Sequence, residues 1–364
     1  TSIGSCVFWY CNSISTVTIP NSVTSISSLA FGCSGITSII IPASVTSIVC
    51  NAFVSTVNLA EIIVDAGNTV YDSRNGCNAI IETSSNKLIS GCKNTIIPNT
   101  VTAIGADAFY WCRDLMAIDI PNSVTSLESR AFAGCSSLLE ITIPNSVISM
   151  DWGAFQACTS ATSITIGSSL ATIGSFPFES CSSVESIVVD PYNPYFDSRE
   201  DCNAIIESAT DELVAGCMNT VIPSSVTSIR DCAFFRMTNL VSIVIPASVA
   251  SIGQSAFYDC TGLTSMTVLA ETPPTLNMND VGVFGNVNKA IPVYIPCGTM
   301  NAYQPASGWN EFTNFIEMCP GMITVGASPT EGGTITGGGS YEGGATCTLT
   351  ATANEGYSFL NWAE

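Results

Sequence analysis

The chain has 364 residues, 46% hydrophobic and only 10% charged, with 9 basic against 29 acidic side chains and no histidine. A large core can be buried. The acidic balance excludes surfaces for nucleic acid or anionic membranes, which need clustered Lys and Arg, and the missing imidazole excludes His-based acid–base, nucleophile and zinc chemistry.

The opening residues, "TSIGSCVFWY", carry no basic region followed by an apolar one. They read as the middle of a repeat, so any export signal is expected outside this sequence. No apolar run approaches the roughly 18 residues of a membrane helix, and no membrane insertion is expected. A proline slot then recurs at positions 20, 42, 65, 98, 121, 144, 167, 190, 223, 246 and 269, giving a 23-residue period with two 33-residue steps. Its most regular copies are "IPNSVTSI" (19–26), "IPASVTSI" (41–48), "IPNSVTSL" (120–127) and "IPSSVTSI" (222–229). Each short unit reads L-x-x-I-x-I-P-x-S-V-T-S-I-x-x-x-A-F-x-x-C-x-x. The β-branched, alternating "LxxIxI" predicts a short strand that the proline ends. "xSVTSI" follows as a second extended segment or turn, and "AFxxC" is an apolar step to the next unit. One strand per unit cannot bury its apolar face alone, so neighbours must stack. The expected architecture is mainly β, a solenoid over residues 1–270 with about eleven rungs and a continuous parallel sheet on one face.

The enlarged repeats span 65–98 and 190–223. "DSRNGCNAIIE" (72–82) returns as "DSREDCNAIIE" (197–207), 125 residues later. Four short repeats and one long one account for that spacing, so the segment is a building block and not a duplicated catalytic site. In each copy two apolar runs, "NAIIE" with "KLISG" or "ELVAG", flank a four-residue polar turn and predict a hairpin. Setting Ile81 opposite Leu88 puts Cys77 opposite Cys92, and the same register puts Cys202 opposite Cys217. Such pairs fit either a disulfide or two buried thiols. Asp65, Asn68 and Asp72, like Asp190, Asn193 and Asp197, offer oxygens for Ca²⁺ or for capping turns. Arg74 and Arg199 can pair with the nearby carboxylates. Ser84 and Lys87 have the S-x-x-K spacing of a nucleophile with a lysine base, but the second copy replaces the lysine by Glu212. No catalytic residue, metal site or cofactor is assigned.

Two columns cross the rungs. Phe at 8, 31, 53, 109, 132, 155, 178, 234 and 257 predicts a ring ladder in the core. Of the 17 cysteines, Cys11, Cys33, Cys112, Cys135, Cys158, Cys181 and Cys260 share one slot, the place of a small buried hydrophobe with a reduced thiol. The period fails after about residue 270. Residues 271–320, with the strand candidate "IPVYIP" and a short helix candidate in "NAYQPASGWNEF", read as a C-terminal cap. Residues 321–364 alternate with period 2, and three strands are expected near "MITVGAS", "ATCTLTAT" and "SFLNWAE". The glycine-rich "GGTITGGGSYEGG" (332–344) reads as turns of this small, truncated β module.

The consensus "IPxSVTSIGxxAFxxCxxLxxI" resembles the BspA-like leucine-rich repeats of bacterial surface proteins over residues 1 to 270, and 321–364 resembles a divergent InlB B-repeat. The resemblance implies a cell-surface or secreted protein of a gut or oral bacterium, adhering to host proteins or to other cells.

In "LxxIxI" the two isoleucines face inward, so the residue between them faces out. That places Ile40, Ile63, Asp119, Thr142, Thr165, Val188, Val244 and Thr267 in one solvent-facing column. Glu61, Ala117, Glu140, Ser163, Ser186, Ser242 and Ser265 form the next. Exposed apolar residues alternating with polar ones on a solenoid sheet suggest a binding face for a protein or glycan. Without Lys or Arg in these columns, a basic or neutral partner is favoured. The expected function is non-catalytic binding by a monomer. The alternatives are a passive stalk that presents other domains, or a hydrolase using carboxylates alone.

Overall fold

Four-residue strands form at most of the "LxxIxI" slots, although "LMAIDI" (115–120) forms none. In the computed structural model, which describes residues 1–278, 282–323, 325–341 and 346–362, Ser38–Ile41 pairs in parallel with Glu61–Val64. Glu140–Ile143, Ser163–Ile166 and Ser186–Val189 form a second such sheet. Ser242–Ile245, Ser265–Val268, Val293–Pro296 and Phe315–Met318 form a third. Partners are 23 residues apart within the regular repeats, Ile141↔Ile164↔Ile187 for example. The "TSI" of each unit makes a two-residue strand in a second parallel ladder, such as Ala103–Ile104, Ser126–Leu127, Ser149–Met150 and Thr172–Ile173. The result is a β-solenoid of about 14 turns.

The sheet on the "LxxIxI" side is therefore not continuous. It is three parallel sheets, interrupted at the enlarged repeats, where "NTIIP" and "NTVIP" form no strand, and at the regular rung after the first of them, "LMAIDI" (115–120), which forms none either. Each enlarged repeat inserts the expected hairpin, Ala79–Glu82 with Lys87–Gly91 and Ala204–Glu207 with Glu212–Gly216. The second strand of each hairpin also pairs with the next rung of the two-residue ladder.

The hairpins act as walls across the core. Alternate residues of a strand face opposite ways, and here both ways lead into core. Ile80 and Cys92 pack with the rungs before the first hairpin, while Cys77, Ala79, Ile81 and Leu88 pack with those after it. In the second hairpin Ile205, Val214 and Cys217 face back, and Cys202, Ala204, Ile206 and Leu213 face forward. One core thus becomes three.

The phenylalanine column breaks at the same places. Rings stack as Phe8–Phe31–Phe53, as Phe109–Phe132–Phe155–Phe178 and as Phe234–Phe257–Phe284, with centroids 4.9–6.0 Å apart. Where a ladder restarts, a hairpin glycine lies beneath its first ring. A Cβ on Gly91 would sit 2.2 Å from Phe109 Cε1, and one on Gly216 would sit 2.1 Å from Phe234 Cε1.

The hairpin register corrects the cysteine pairing. Ile81 does lie opposite Leu88, but a bulge between Ile80 and Ile81 sets Ile80 opposite Ser90 and Ala79 opposite Gly91. Cys92 is thereby shifted, and its thiol meets the Asn78 carbonyl at 3.4 Å. Cys77 and Cys92 are free and point to opposite sides of the wall, as do Cys202 and Cys217.

Beyond residue 270 the sheet gains Val293–Pro296 and Phe315–Met318, joined by a turn of helix at Met300–Tyr303. Tyr303, Trp309 and Phe312 cover the end of the core around Phe284. Cys297 and Cys319, each just after one of these two strands, form a disulfide with a Cα separation of 4.5 Å. In the last segment Gly321–Ile323 pairs with Gly339–Tyr341, and Gly333–Thr336 with Thr350–Ala353. Part of the glycine-rich stretch is thus strand and not turn, because Gly333 lets its backbone approach the Thr352 carbonyl where a Cβ would sit 2.3 Å away. Residues 358–362 form no strand. Thr324, residues 342–345 and residues 363–364, which belong to these expected strands and turns, lie outside the described residues.

Candidate functional site

The outward column stands where the alternation places it. Ile39 and Ile41 are buried while Ile40 between them is 57% exposed, and Ile63, Val188 and Val244 are likewise exposed. Asp119, Thr142 and Thr165 are exposed, and Thr267 is half-buried. In the neighbouring column Glu61, Ala117, Glu140 and Ser242 are exposed, and Ser163, Ser186 and Ser265 are half-buried. Parallel pairing sets Thr142, Thr165 and Val188 side by side on successive rungs. Asp119 belongs to a rung without strand pairing, although Ile120 beside it remains buried.

Two members of this column were missed. Ile96 and Val221 are 74% and 70% exposed. Each stands two residues before the proline of its repeat, Pro98 or Pro223, in the slot of Ile63 and Val244. That offset is visible in the sequence, but "NTIIP" and "NTVIP" carry Thr95 and Thr220 where the other rungs have an apolar residue three before the proline slot. The strip thus alternates along the solenoid: Ile40, Ile63 and Ile96, then Asp119, Thr142 and Thr165, then Val188, Val221 and Val244.

An open groove of about 710 Å³ crosses the strip at its middle, lined among others by Thr142, Pro144, Thr165, Gly167, Val188 and Pro191. Gly167 stands where seven of the other repeats have proline, and a Cβ there would come within 2.6 Å of the Pro144 carbonyl. Asn193 fixes this turn from below, its amide donating to the carbonyls of Gly167 at 2.8 Å and Leu170 at 3.1 Å.

Every cation of the chain is engaged elsewhere. Arg74, Lys87, Lys93, Arg130, Arg199, Arg230, Arg236 and Lys289 are each ion-paired with a carboxylate. Arg113, the ninth, lies over the Trp111 ring at 4.7 Å. The acids on the strip, Glu61, Asp119, Glu140 and Glu185, have no ion-pair partner among the described residues, and neither do Asp65 and Asp190 at its edge.

The other candidates resolve into structure. Arg74 grips Asp72 with two donors at 2.8 and 2.6 Å and reaches Asn86 at 2.9 Å and Thr100 at 3.1 Å. Arg199 repeats this with Asp197, Asp211 and Ser225. One guanidinium therefore ties the start of the hairpin to its turn and to the next rung. Burial pushes the Asp197 carboxyl up, but the hydrogen bonds from Arg199 and Ser208 outweigh it and hold the group below its usual range. Asn68 is buried, donating to Pro42 and Val45 carbonyls and accepting from Val70 and Tyr71 amides. Its oxygen and those of Asp72 are thus consumed by the fold, and the turn-capping reading holds for both. Lys87 pairs with Glu128 at 3.0 Å.

The thiol column is core. Cys135, Cys158, Cys181 and Cys260 are buried, and each donates its S–H to the carbonyl of a phenylalanine one coil back, at 3.0–3.4 Å. Cys112 is buried too, whereas Cys11 and Cys33 are half-buried. Burial pushes the thiols of Cys112 and Cys260 up to about 12, so neither is a nucleophile at neutral pH.

The family profile described as "BspA type Leucine rich repeat region" matches six copies over residues 1–78, 79–199 and 214–303. The chain belongs to the BspA-type leucine-rich repeat family. Residues 323–364 match the divergent InlB B-repeat domain. Among solved structures, a leucine-rich repeat protein from Eubacterium ventriosum is 23% identical, covering 77% of this chain and 71% of its own, with a TM-score of 0.52. A leucine rich cell surface protein from Faecalibacterium prausnitzii is 21% identical over 81% of this chain and 83% of its own, with a TM-score of 0.49. A leucine-rich repeat protein from Bacteroides ovatus is 23% identical over 87% and 75%, with a TM-score of 0.48. Comparison with curated proteins finds no match. No helix of the described residues is long and apolar enough to cross a membrane.

Proposed function

We propose that this protein is a non-catalytic adhesin, displayed at or released from a bacterial surface, whose solenoid sheet face binds a protein or glycan of a host or neighbouring cell. The observation that carries this reading is the strip itself. Val188, Val221 and Val244, like Ile40, Ile63 and Ile96, leave large apolar side chains in water along one face of a rigid ladder. A passive stalk has no need of such exposure. Family membership supports the same role, since stacked repeats serve as extended binding surfaces. Without histidine, and with the carboxylates of the enlarged repeats held by Arg74 and Arg199, the chain offers little to a hydrolytic mechanism. The test is to replace Ile63, Thr142 and Val188 together by Lys and to screen parent and variant against matrix proteins and glycans. Loss of a parental ligand by a folded variant supports the face. A parent that binds nothing, or a variant that binds as well as the parent, overturns it.

A further inference from the structure

We infer that the groove at the middle of the strip is a docking site for an extended polypeptide segment bearing Lys or Arg side chains. This deepens the proposed binding role and rests on it. Three observations converge on four successive rungs, from that of Asp119 to that of Val188. The groove is lined by Thr142, Thr165, Val188 and the rings of Pro144 and Pro191, with Asn122, Asn145 and Ser146 beside them and Asp190 as its carboxylate. Its backbone is already spent in the parallel ladder, Thr142↔Thr165↔Val188, so a guest gains contact through side chains and not by adding a strand. Asp190 lines this groove, one of its oxygens accepting the Tyr192 amide at 2.9 Å, and Asp119, Glu140 and Glu185 lie exposed on the same rungs or the one before; none of the four has an ion-pair partner among the described residues.

None of the chain's own cationic side chains pairs with these acids: eight are ion-paired elsewhere and the ninth, Arg113, lies over the Trp111 ring. The complement of a groove with valine and proline surface and carboxylates beside it is a long aliphatic stem that ends in a cation. Lys and Arg lay their methylenes along apolar surface while their heads reach for charge. Rungs about 4.8 Å apart spread the carboxylates over roughly 15 Å, which needs several such side chains on an extended backbone and not one small cation. No aromatic ring lines the groove to stack against a sugar. Tyr192, 86% exposed just beyond Pro191, offers a ring face to a guanidinium at the rim.

The probe is a fluorescent twelve-residue peptide of alternating Lys and Ala, with a Gln-for-Lys twin of the same length and a neutral oligosaccharide as comparators. Binding is read by anisotropy in low and physiological salt. Parent protein should bind the Lys peptide at least tenfold more tightly than its twin, with affinity falling as salt rises. The quadruple variant D119N, E140Q, E185Q, D190N should lose at least tenfold. A control with equal charge removed elsewhere, E200Q, D201N, E271Q, E355Q, should lose less than threefold. Equal loss in both variants would reduce the effect to the net charge of −20 and overturn the site. Equal binding of the two peptides, or tighter binding of the oligosaccharide, would overturn the partner class. In either case the triple-Lys screen remains informative, since loss of a neutral ligand there would keep the face and discard only the cationic partner.

Discussion

Phe132→Ala tests the ladder at its most demanding rung. Phe132 is fully buried between Phe109 and Phe155, with centroids at 4.9 and 5.0 Å and planes inclined by 9° and 7°. Truncating a buried Phe costs about 3–5 kcal/mol in transfer and cavity terms, and each well-stacked ring pair adds about 1 kcal/mol. Both neighbours are held by their own rungs, so the cavity cannot collapse, and the loss should be about 5 kcal/mol. Phe178 provides the comparison. It is equally core but touches only Phe155 in the ladder, at 6.0 Å and 20°, because the second hairpin stands on its other side. Phe178→Ala should cost about 1 kcal/mol less. Urea titration followed by circular dichroism measures the total. Hydrogen exchange over residues 109–178 shows whether the middle core opens alone, since stacked repeats need not unfold together. A loss below about 1 kcal/mol for Phe132→Ala, or equal losses for the two variants, would refute the reasoning.

The walls and the thiols give further expectations. Gly216→Ala forces a methyl group into the Phe234 ring and should cost more than about 2 kcal/mol, whereas Gly76→Ala, with nothing within 4 Å of its Cβ position, should cost about 1 kcal/mol for its φ of +64° alone; similar thermal shifts for both would exclude the close contact. Under native alkylation Cys135, Cys158 and Cys181 should stay unmodified and only the Cys297–Cys319 peptides should be disulfide-linked; modification of the three at the rate of a free thiol would place them outside the core. The folded thiols of Cys112 and Cys260 titrate near 12 against 9.0 for the ordinary group, so the folded state keeps protons that the unfolded state releases, and stability should be flat below about pH 8 and fall as pH rises from about 9 toward 12. A urea midpoint equal at pH 7 and pH 10, or a fall left unchanged in a Cys112→Ala, Cys260→Ala double variant, would contradict that linkage.

How much was legible follows from the range of each interaction. The 23-residue period determined the solenoid, the inward pair of "LxxIxI" and the outward residue between them, because stacking makes every rung see nearly the same neighbours and a periodic sequence then has a periodic burial. The same logic located the thiol column and the outward positions from Ile40 to Thr267. Ile96 and Val221 obeyed it too, and were overlooked because Thr95 and Thr220 break the apolar alternation of their rungs. What the period could not express was a contact between unlike segments. That the hairpins lie as walls between coils, and so divide one core into three, depends on a two-stranded sheet finding apolar rungs on both of its faces. That Cys77 and Cys92 face apart depends on one bulged residue, since a single-step register shift reverses a side chain's direction. The disulfide joins two positions that become neighbours only when the last two strands pair, and the fork of Arg74 or Arg199 reaches partners 12 and 26 residues away because the coil returns there. The groove with its unpaired carboxylates likewise belongs to the tertiary structure: the sequence by itself determined which residues face outward, and only the fold decided that every cation was already spent elsewhere.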